Sequence, residues 1–480
     1  MSAPLTAPAA VVLAAGQGTR MRSRIPKVLH SLAGRPMIAH VLDALAAAGV
    51  GRPVVVTGHG AGAVEEAIAD RADTVRQEEQ RGTADAVRVA LAAVSPEAGT
   101  VLVTMGDAPL QGADLFQALL DARADSDAAV VLVSARMSDP TGYGRIRRDE
   151  RGDVTAIVEE ADTDEATRAI DETNAGTYAF DGAWLRGAIG RIEASPSGEL
   201  YLTDLIALAV ADGLTVRAVQ AADAIDAMGI NDRVALSVAE ERLRRRIVEA
   251  HQRAGVTIVD PATTRIDAGV EIGQDARIEP WTILEGATSI APDAVIGPNA
   301  HLRDSRVGPR TRVWASVLEG AVVAEDSEIG PFSHLRPGAE VGPRCEIGNY
   351  AEIKSSRIGA GSKQHHFSYL GDAQVGEDVN VGAGSVTANY DGVAKHRTEI
   401  GDRVKLGVDT MMVAPVTIGP DAVTGAGAVV TRDVAPGKTV VGMPARPIEL
   451  QRRRSVARTA AAESSSADEA PVPTGADRNT

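Results

Sequence analysis

The chain has 480 residues, with 49 Lys and Arg against 65 Asp and Glu, and a formal net charge of −16 at pH 7. At roughly 150 residues per domain, this length predicts two or three domains, and the acidic balance argues against nucleic-acid binding, which needs a basic surface. The single cysteine, Cys345, excludes an intrachain disulfide and a thiolate zinc cluster. No apolar run approaches the roughly 18–20 residues that cross a bilayer, and no signal-type apolar stretch follows a charged N-terminus. We therefore expect a cytoplasmic protein that does not insert into a membrane.

The first 230 residues alternate short apolar runs with amphipathic helical patterns. Four runs are continuous, rich in β-branched residues and bounded by turn residues, which is typical of strands buried on both faces: 11–16, 54–58, 100–107 and 128–135. Helical spacing lies between them, for example at 36–48, 62–71 and 83–94. This alternation predicts a parallel sheet with right-handed crossovers, and therefore a Rossmann-like α/β domain.

A connecting helix and a repetitive region follow. Asp232 and Gly255 are typical start and stop signals for a helix over 232–254. From about Ile266, aliphatic residues recur every six positions, often followed by Gly, as in Ile272-Gly273 and Ile418-Gly419. Three such hexads form one coil of a parallel β-helix, whose interior the aliphatic side chains fill.

Two segments depart from the hexad pattern. The phase breaks between Val386 and Ile400, which predicts a loop projecting from a coil, often a binding feature in repeat proteins. From about Ser455 the chain is rich in Ala, Ser, Glu and Pro, so we expect a disordered tail.

A glycine-rich segment, LAAGQGTRM at 13–21, follows the first predicted strand, and PKVLH follows at 26–30. Gly16 and Gly18 would let main-chain N–H groups approach a phosphate, and Arg20 and Lys27 would supply positive charge. Lys27 is the only lysine before Lys354. The segment lacks the GK[ST] of a Walker A loop and the third glycine of the dinucleotide fingerprint.

Residues 332–390 form a second unusual region. They contain five of the 13 aromatic residues, together with the histidine pair of GSKQHHFSYLGDA at 361–373. Polar groups that interrupt a repeating solenoid need a reason, and imidazole titrates near the working pH of an acid–base catalyst.

The GxGTRM and PK motifs resemble those of sugar nucleotidyltransferases. Together with the hexapeptide half, residues 9–450 resemble the bifunctional N-acetylglucosamine-1-phosphate uridylyltransferase/glucosamine-1-phosphate acetyltransferase family. The resemblance implies a nucleotidyltransferase domain (1–231), a linker helix (232–254), a left-handed β-helix acetyltransferase domain (255–454) and a disordered tail (455–480). It also implies Mg²⁺, with UTP and acetyl-CoA as co-substrates, and a homotrimer assembled through the β-helix with acetyl-CoA pockets between chains.

The resemblance assigns residues to the uridylyl-transfer site. Arg20 and Lys27 are implied to be catalytic, and Asp107 and Asn231 to bind the metal. The residues implied to bind UTP or the UDP-sugar are Leu13, Ala14, Ala15, Gly16, Gly18, Lys27, Gln77, Gly82, Thr83, Gly144, Glu159, Asn174 and Asn231. Chemically, attack of a sugar phosphate on UTP needs alignment and charge neutralisation rather than a protein nucleophile.

The resemblance also assigns the acetyl-transfer site. His366 matches the catalytic base, with Glu352 as a candidate for orienting its ring. The residues implied to bind glucosamine phosphate are Arg336, Lys354, Tyr369 and Asn380, with Asn389 near the amine; those on the acetyl-CoA side are Ala383, Asn389, Tyr390, Val408 and Ala426.

Three positions depart from the family pattern. Met105 stands where many relatives carry Tyr, Val408 where a Ser commonly contacts the cofactor, and 442–448 replaces a segment that often carries an Arg, for which Arg446 is a substitute. Three alternatives stay open: thymidylyl or guanylyl transfer, a regulatory scaffold without turnover, and a β-helical metalloenzyme of the carbonic-anhydrase type.

Overall fold

The computed structural model describes residues 7–196 and 198–447, in two compact units, 1–309 and 310–480. The predicted disordered tail at 455–480 and the end of the 442–448 segment lie outside the described residues. No helix of the described part is both long and apolar enough to cross a membrane.

The first unit begins with a sheet flanked by helices. Its strands are β1 Ala9–Ala14, β2 Ser31–Leu32, β3 Arg35–Pro36, β4 Val54–Thr57, β5 Asp73–Arg76, β6 Thr100–Met105, β7 Val130–Arg136, β8 Arg145–Arg148, β9 Val154–Val158, β10 Glu172–Asp181 and β11 Val216–Gln220. Its helices are α1 Met37–Ala47, α2 Ala61–Ile68, α3 Thr83–Ala90, α4 Ala113–Ala124, α5 Glu165–Arg168, α6 Gly182–Ala188, α7 Asp204–Ala211 and α8 Arg233–Arg253. The four predicted strands and the predicted helices are confirmed, with ends displaced by a few residues.

The sheet is mixed rather than wholly parallel. Its order is β11-β7-β10-β6-β1-β4-β5, and β10 runs antiparallel to both β6 and β7. The strands β8 and β9 form an antiparallel hairpin that pairs with β10. The expectation of a parallel sheet is therefore wrong at β10. β10 is not among the four predicted strands, because its sequence, ETNAGTYAFD, mixes polar and apolar residues although most of them are buried.

Helix α8 confirms the predicted connecting helix. Asp232 caps its N-terminus by accepting bonds from the main-chain N–H groups of Val234 (2.9 Å) and Ala235 (2.8 Å). Gly255, at φ 93°, follows its C-terminal end, where a left-handed residue commonly closes a helix.

The first unit ends in short strands that stack as three-sided coils. The strands are Thr257–Ile258, Arg265–Ile266, Glu271–Ile272, Arg277–Ile278, Ile283–Glu285, Ser289–Ile290, Val295–Ile296, His301–Arg303 and Arg306–Val307. Each pairs in parallel with the strand one coil away, as in Ile266 with Leu284. The hexad aliphatic residues are buried between the faces, as predicted.

The second unit is a three-sided β-helix whose faces we name A, B and C. Face A holds Arg312–Val313, Glu328–Ile329, Glu346–Ile347, Lys363–Gln364, Val423–Thr424, Thr439–Val441 and Arg446–Pro447. Face B holds Val317–Glu319, His334–Leu335, Ala351–Lys354, Ser368–Gly371, Val386–Ala388, Met411–Val413 and Val429–Val430. Face C holds Val322–Val323, Glu340–Val341, Arg357–Ile358, Ala373–Val375, Thr398–Ile400 and Val416–Ile418. This is the parallel β-helix that the hexapeptide repeat predicts, of the left-handed class that the family resemblance implies.

The predicted projecting loop is present between strands 386–388 and 398–400. Asp391 accepts bonds from the N–H groups of Val393 (2.8 Å) and Ala394 (2.7 Å), which closes the turn. Val393 at its tip is 90% exposed. The loop therefore carries side chains outward from the coil that follows His366.

Candidate active sites

A cleft of about 330 Å³ opens at the carboxyl ends of β1 and β6 in the first unit. Its lining residues are Leu13, Ala14, Ala15, Gly16, Lys27, Val28, Gln77, Gln80, Gly82, Thr83, Ala86, Met105, Asp107 and Glu199. Parallel strands in such sheets bring their carboxyl ends, and the loops that follow, to one edge where ligands bind. The fold thus unites most of the residues that the sequence assigns to UTP.

Lys27 lies at the centre of the polar contacts in this cleft. Its ammonium forms an ion pair with Asp107 and donates a hydrogen bond to Asn231 Oδ1 at 3.1 Å. The main-chain carbonyl of Asp107 accepts a bond from the N–H of Ile230 at 2.8 Å, which holds the two metal-candidate segments together. Residues 204 positions apart along the chain therefore converge on one cation.

The same convergence tests whether a divalent ion suits the site. Asp107 and Asn231 present one carboxylate and one amide oxygen toward a point that already attracts positive charge. Oxygen donors of this kind suit Mg²⁺, which usually keeps waters and substrate phosphates as its remaining ligands. No group of three or more His, Cys, Asp or Glu side chains in the described part could hold a metal alone.

The glycine-rich loop packs closely against Lys27. Gly18 has φ 60°, and a Cβ at this position would lie 2.7 Å from Lys27 Cβ. Arg20 is exposed in the short 3₁₀ turn Thr19–Met21. Burial raises the pKa of Tyr143, Asp107 raises it further, and Arg20 lowers it, which indicates that both charges act on the same region.

Gln77, Gly82 and Thr83 stand together at the other side of the cleft. Gln77 Nε2 donates to the carbonyl of Gly82 at 3.1 Å and to Asp85 Oδ2 at 2.9 Å. Thr83 Oγ1 accepts a bond from the N–H of Leu202 at 2.9 Å. These bonds fix the start of α3.

The predicted sugar-binding residues form a second group in the same unit. The N–H of Asn174 donates to the carbonyl of Gly144 at 2.8 Å, and Asn174 Nδ2 donates to the hydroxyl of Tyr178 at 2.7 Å. Glu159 accepts a bond from Thr203 Oγ1 at 2.9 Å, and burial raises its pKa. Gly144 adjoins Glu159, since a Cβ on it would lie 3.5 Å from Glu159 Oε2.

The acetyl-transfer candidates gather on face B of the second unit. Glu352 and Tyr369 are paired across adjacent strands, and Arg336 Nη1 donates to Glu352 Oε1 at 2.8 Å. Lys354 Nζ lies 3.9 Å from Asp372 Oδ2. The Glu352 carboxylate is thus paired with Arg336 rather than with His366. The role of Glu352 in orienting the His366 ring therefore stays a prediction.

Asn389, Asp372 and Tyr369 extend this group. Asn389 Nδ2 donates to Asp372 Oδ2 at 2.5 Å and lies 3.5 Å from the hydroxyl of Tyr369. A Cβ on Gly371 would lie 2.1 Å from that hydroxyl, so only glycine leaves room for the Tyr369 ring here. Tyr390, 60% exposed, is tied to the projecting loop by donating to the carbonyl of Gly392 at 2.7 Å.

His366 is exposed at the corner between faces A and B. Its neighbour His365 bonds instead to Glu346 Oε2 at 2.7 Å. Asn380 lies one coil further along face A, paired with Lys363.

The acetyl-CoA candidates occupy successive coils at one corner. The N–H of Asp409 donates to the carbonyl of Ala383 at 2.6 Å, and the N–H of Gly427 donates to the carbonyl of Val408 at 2.8 Å. Ala383, Val408 and Ala426 therefore stack in a column, and Val408 is 48% exposed. Arg446 is exposed as well, and its substitution for the missing cofactor Arg stays a prediction.

Comparison with known proteins agrees with both halves. The MobA-like NTP transferase domain family matches residues 10–173, the bacterial transferase hexapeptide family matches 320–355, and the hexapeptide repeat of succinyl-transferase matches 397–432. The chain is 49% identical to the bifunctional protein GlmU of Thermobifida fusca over 93% of this chain and 95% of that one. It is 47% identical to GlmU of Mycolicibacterium gilvum (95% and 94% covered) and 45% identical to GlmU of Corynebacterium glutamicum (97% and 98% covered).

This chain belongs to the GlmU family. It is a bifunctional enzyme with a nucleotidyltransferase domain and a hexapeptide acyltransferase domain. A regulatory scaffold and a β-helical metalloenzyme are thereby excluded as the main interpretation.

Sequence reasoning missed Lys395, which the projecting loop of this GlmU-family chain carries. The adjacent ammonium of Lys354 lowers the pKa of Lys395 through a side-chain contact. Two ammonium groups this close favour an anion between them. The scarcity of lysine, with six in the chain, and the position of Lys395 in the predicted loop were signals that could have found it.

Gln80 and Glu199 were missed in the nucleotide cleft. Gln80 Nε2 donates a hydrogen bond to the carbonyl of Ala15 at 2.8 Å and so stabilises the glycine-rich loop. Gln80 lies between Gln77 and Gly82 in sequence, which was a usable signal. Glu199 reaches the cleft from a distant segment, and no local pattern marks it.

Proposed function

We propose that this chain transfers acetyl from acetyl-CoA to glucosamine-1-phosphate and then joins N-acetylglucosamine-1-phosphate to UTP, giving UDP-N-acetylglucosamine and pyrophosphate. The observation that carries the proposal is the presence of two separate clusters of polar side chains, each containing at least one lysine. Lys27 contacts Asp107 and Asn231 in the first unit, and Lys354 lies beside Lys395 and Asp372 in the second. Each cluster suits a phosphate-bearing substrate.

In uridylyl transfer, a phosphate oxygen of the sugar attacks the α-phosphorus of UTP, and the bond to the β,γ-diphosphate breaks. Asp107 and Asn231 would hold Mg²⁺, which supplies neutralisation of phosphate charge when bound. Lys27 and Arg20 neutralise the departing pyrophosphate. The main-chain N–H groups around Gly16 and Gly18 orient the phosphates, and Glu159 and Asn174 receive the sugar.

In acetyl transfer, the sugar amine attacks the thioester carbonyl of acetyl-CoA, and the CoA thiolate leaves as the amide bond forms. The amine must lose a proton first, and the His366 imidazole accepts it. Lys354 and Lys395 bind the sugar phosphate on one side. Asp372, which already accepts a bond from Asn389, offers a carboxylate to sugar hydroxyls on the other.

We further propose that the protein is cytoplasmic and that its domain boundaries lie at 231/232 and 254/255.

We also propose that the β-helix assembles as a homotrimer. Phe332 and Tyr350 stack at 5.3 Å between ring centroids, and both are more than half exposed. Both have positive φ, at 60° and 58°, as do other non-glycine residues along the coils, such as Asp326 and Arg344. This aromatic stack supports packing against a second copy.

The trimer is tested by replacing both aromatics with Asn, which tolerates left-handed backbone. We expect Phe332→Asn/Tyr350→Asn to sediment as smaller species than the native chain in analytical ultracentrifugation. Val393→Asn, on the exposed loop tip, is the control and should leave the assembly unchanged. An unaltered sedimentation coefficient for the double variant would remove this surface from the interface.

The function itself is tested with two single substitutions assayed for both reactions. We expect Asp107→Ala to reduce uridylyl transfer at least about 100-fold, since it removes a charge that faces the reacting phosphates, and to leave acetyl transfer unchanged. We expect His366→Ala to reduce acetyl transfer by about 100-fold or more, the usual contribution of a general base, and to leave uridylyl transfer unchanged.

Matched controls lie close to both positions. His365→Ala removes the neighbouring imidazole, and Asp114→Ala removes an exposed carboxylate in the first turn of α4. Both should keep both activities. Loss of both reactions from either test variant, with circular dichroism unchanged, would contradict the assignment of one reaction to each domain. A preference for dTTP or GTP over UTP would overturn the uridylyl assignment.

A further inference from the structure

The aliphatic interior of face A in the second unit is interrupted by two buried polar side chains, Thr424, whose hydroxyl is hydrogen-bonded to Gly407 and Thr410, and Gln364. Its inward positions follow a column in register: Val313, Ile329, Ile347, Gln364, Val381, Leu406 and Thr424. All of them are buried, and Gln364 is only 1% exposed. The residue after each inward position is Gly in the coils on both sides, as at Gly348 and Gly382, but it is His365 here. The coil that departs from the pattern is the one that carries His366.

The Gln364 side chain makes a specific connection inside the prism. Its Nε2 donates to Ser368 Oγ at 2.8 Å, and Ser368 Oγ donates to the main-chain carbonyl of His366 at 2.8 Å. Ser368 is itself buried. The two bonds form a polarised chain from amide to hydroxyl to carbonyl that spans the corner on which His366 stands.

This connection leaves one polar atom without a partner. Gln364 Oε1 is buried and accepts no hydrogen bond, although the neighbouring coils fill the same place with aliphatic side chains. A buried unpaired oxygen destabilises the fold relative to an aliphatic residue of similar size. Such a departure from good packing is typical of functional positions, where stability is lost for activity.

We infer that Gln364 is a positioning residue for acetyl transfer. It acts through Ser368 to hold the main chain of His366, and so fixes the direction in which the imidazole leaves the corner. The inference rests on the proposed role of His366 as the base. Gln364 would thus affect the rate of acetyl transfer from the interior of the prism, where it does not contact the substrate.

The decisive variant is Gln364→Leu, which restores the aliphatic column. We expect kcat for acetyl transfer to fall about tenfold while KM for glucosamine-1-phosphate stays within about twofold, because ring placement affects the proton transfer more than substrate binding. We also expect the melting temperature of the variant to stay equal or rise. A purely structural role predicts the changed melting temperature with native kcat, and that result would overturn the inference.

Ser368 supplies the second arm of the experiment, which also covers a failure of Gln364→Leu to fold. Ser368→Ala should lower kcat as Gln364→Leu does, Ser368→Thr should retain the native value because it keeps the hydroxyl, and the double variant Gln364→Leu/Ser368→Ala should be no worse than either single one. Ser316→Ala is the control, since Ser316 Oγ makes the equivalent bond to the carbonyl of Trp314 at 2.9 Å in another coil. It should keep native acetyl transfer.

Two measurements separate this inference from the function on which it rests. Uridylyl transfer, assayed on every variant, should be native and reports that the first unit is folded, while a cooperative melting transition of the second unit reports that the β-helix is folded. If His366→Ala abolishes acetyl transfer while Gln364→Leu and Ser368→Ala do not alter kcat, the positioning role is wrong and the base is right. If His366→Ala keeps native acetyl transfer, the proposed base is wrong and the positioning role falls with it.

Discussion

At the scale of single residues, the protonation behaviour of a side chain depends on the groups that contact it in the fold. Glu159 shows this in the sugar-binding group, where it accepts a bond from Thr203 and adjoins Gly144. Burial raises its pKa above that of an exposed glutamate, because a charged carboxylate loses hydration there. Sequence comparison marks the position, but only the packing of α7 against β9 gives the carboxylate its altered protonation.

The first prediction concerns the pH dependence of uridylyl transfer. A raised pKa means that Glu159 takes up its proton at a higher pH than an exposed glutamate, so kcat/KM for the sugar phosphate should fall as pH decreases toward that pKa. Glu159→Gln should lower kcat/KM about tenfold at pH 7.5, the worth of one hydrogen bond to a charged group. The variant should also lose this decrease of kcat/KM at low pH, the acidic limb of the pH profile, measured between about pH 5 and 8.

A variant that keeps the native acidic limb would assign the limb to another group. Glu160→Gln is the control, because Glu160 is paired with Arg145 at 2.6 Å and adjoins Glu159 in sequence. Its pKa is lowered by that pairing, so it should not contribute an acidic limb in this range.

At the scale of secondary-structure elements, the N-terminal ends of helices position residues that line the nucleotide cleft. Helix α3 begins at Gly82, whose carbonyl accepts a bond from Gln77, and Thr83 is fixed by Leu202. Gly82 has φ 115°, and a Cβ there would lie 2.4 Å from the carbonyl oxygen of Leu200. The element therefore requires glycine for two reasons, the backbone angle and the close approach of a neighbouring segment.

The second prediction follows from this geometry. Gly82→Ala should lower the free energy of unfolding of the first unit by about 2 kcal/mol or more through backbone strain and should raise KM for UTP. Gly112→Ala is the matched control, since Gly112 caps α4 at φ −83° with no atom within 4 Å of the added Cβ. Calorimetry and UTP saturation curves measure both effects, and equal behaviour of the two variants would contradict the prediction.

At the scale of the whole molecule, the first unit carries buried histidines in addition to ion-paired carboxylates such as Glu172. Burial is the main cause that lowers the pKa values of His30, His40 and His251, all in residues 1–309. In residues 310–447, Lys363 lowers the pKa of Glu346, and main-chain bonds lower that of Asp391. The units should therefore lose stability in different pH ranges.

The third prediction is a pH dependence confined to the first unit. A histidine with a lowered pKa is neutral in the folded state and takes up a proton more readily when unfolded. Its contribution is complete above the unfolded pKa, about 6.5, and is lost as pH falls through the folded value. Calorimetry between pH 7.5 and 5.5 should show the transition of residues 1–309 moving to lower temperature, while the β-helix transition changes little.

His40→Gln isolates one contributor, since His40 is buried with its ring donating to the carbonyl of Leu32 at 2.8 Å. The variant should reduce the slope of melting temperature against pH, whereas His59→Gln, at an exposed position, should not. A β-helix that melted first in this range would contradict the assignment, because its lowered carboxylate pKa values remove stability only at more acidic pH.

The sequence by itself determined the periodic part of the architecture and the type of chemistry. A six-residue aliphatic period predicts a three-sided prism, and Gly16 and Gly18 with Arg20 and Lys27 indicate a phosphate site because they supply main-chain N–H groups and positive charge. Asp107 is assigned as a metal ligand only by the family resemblance. The tertiary structure alone decided which distant groups meet. Lys395 lies beside Lys354, Arg336 pairs with Glu352, and Gln364 reaches the His366 carbonyl through Ser368. Stacking of coils sets these contacts and leaves no local sequence pattern, because pairing between strands depends on register across the whole sheet.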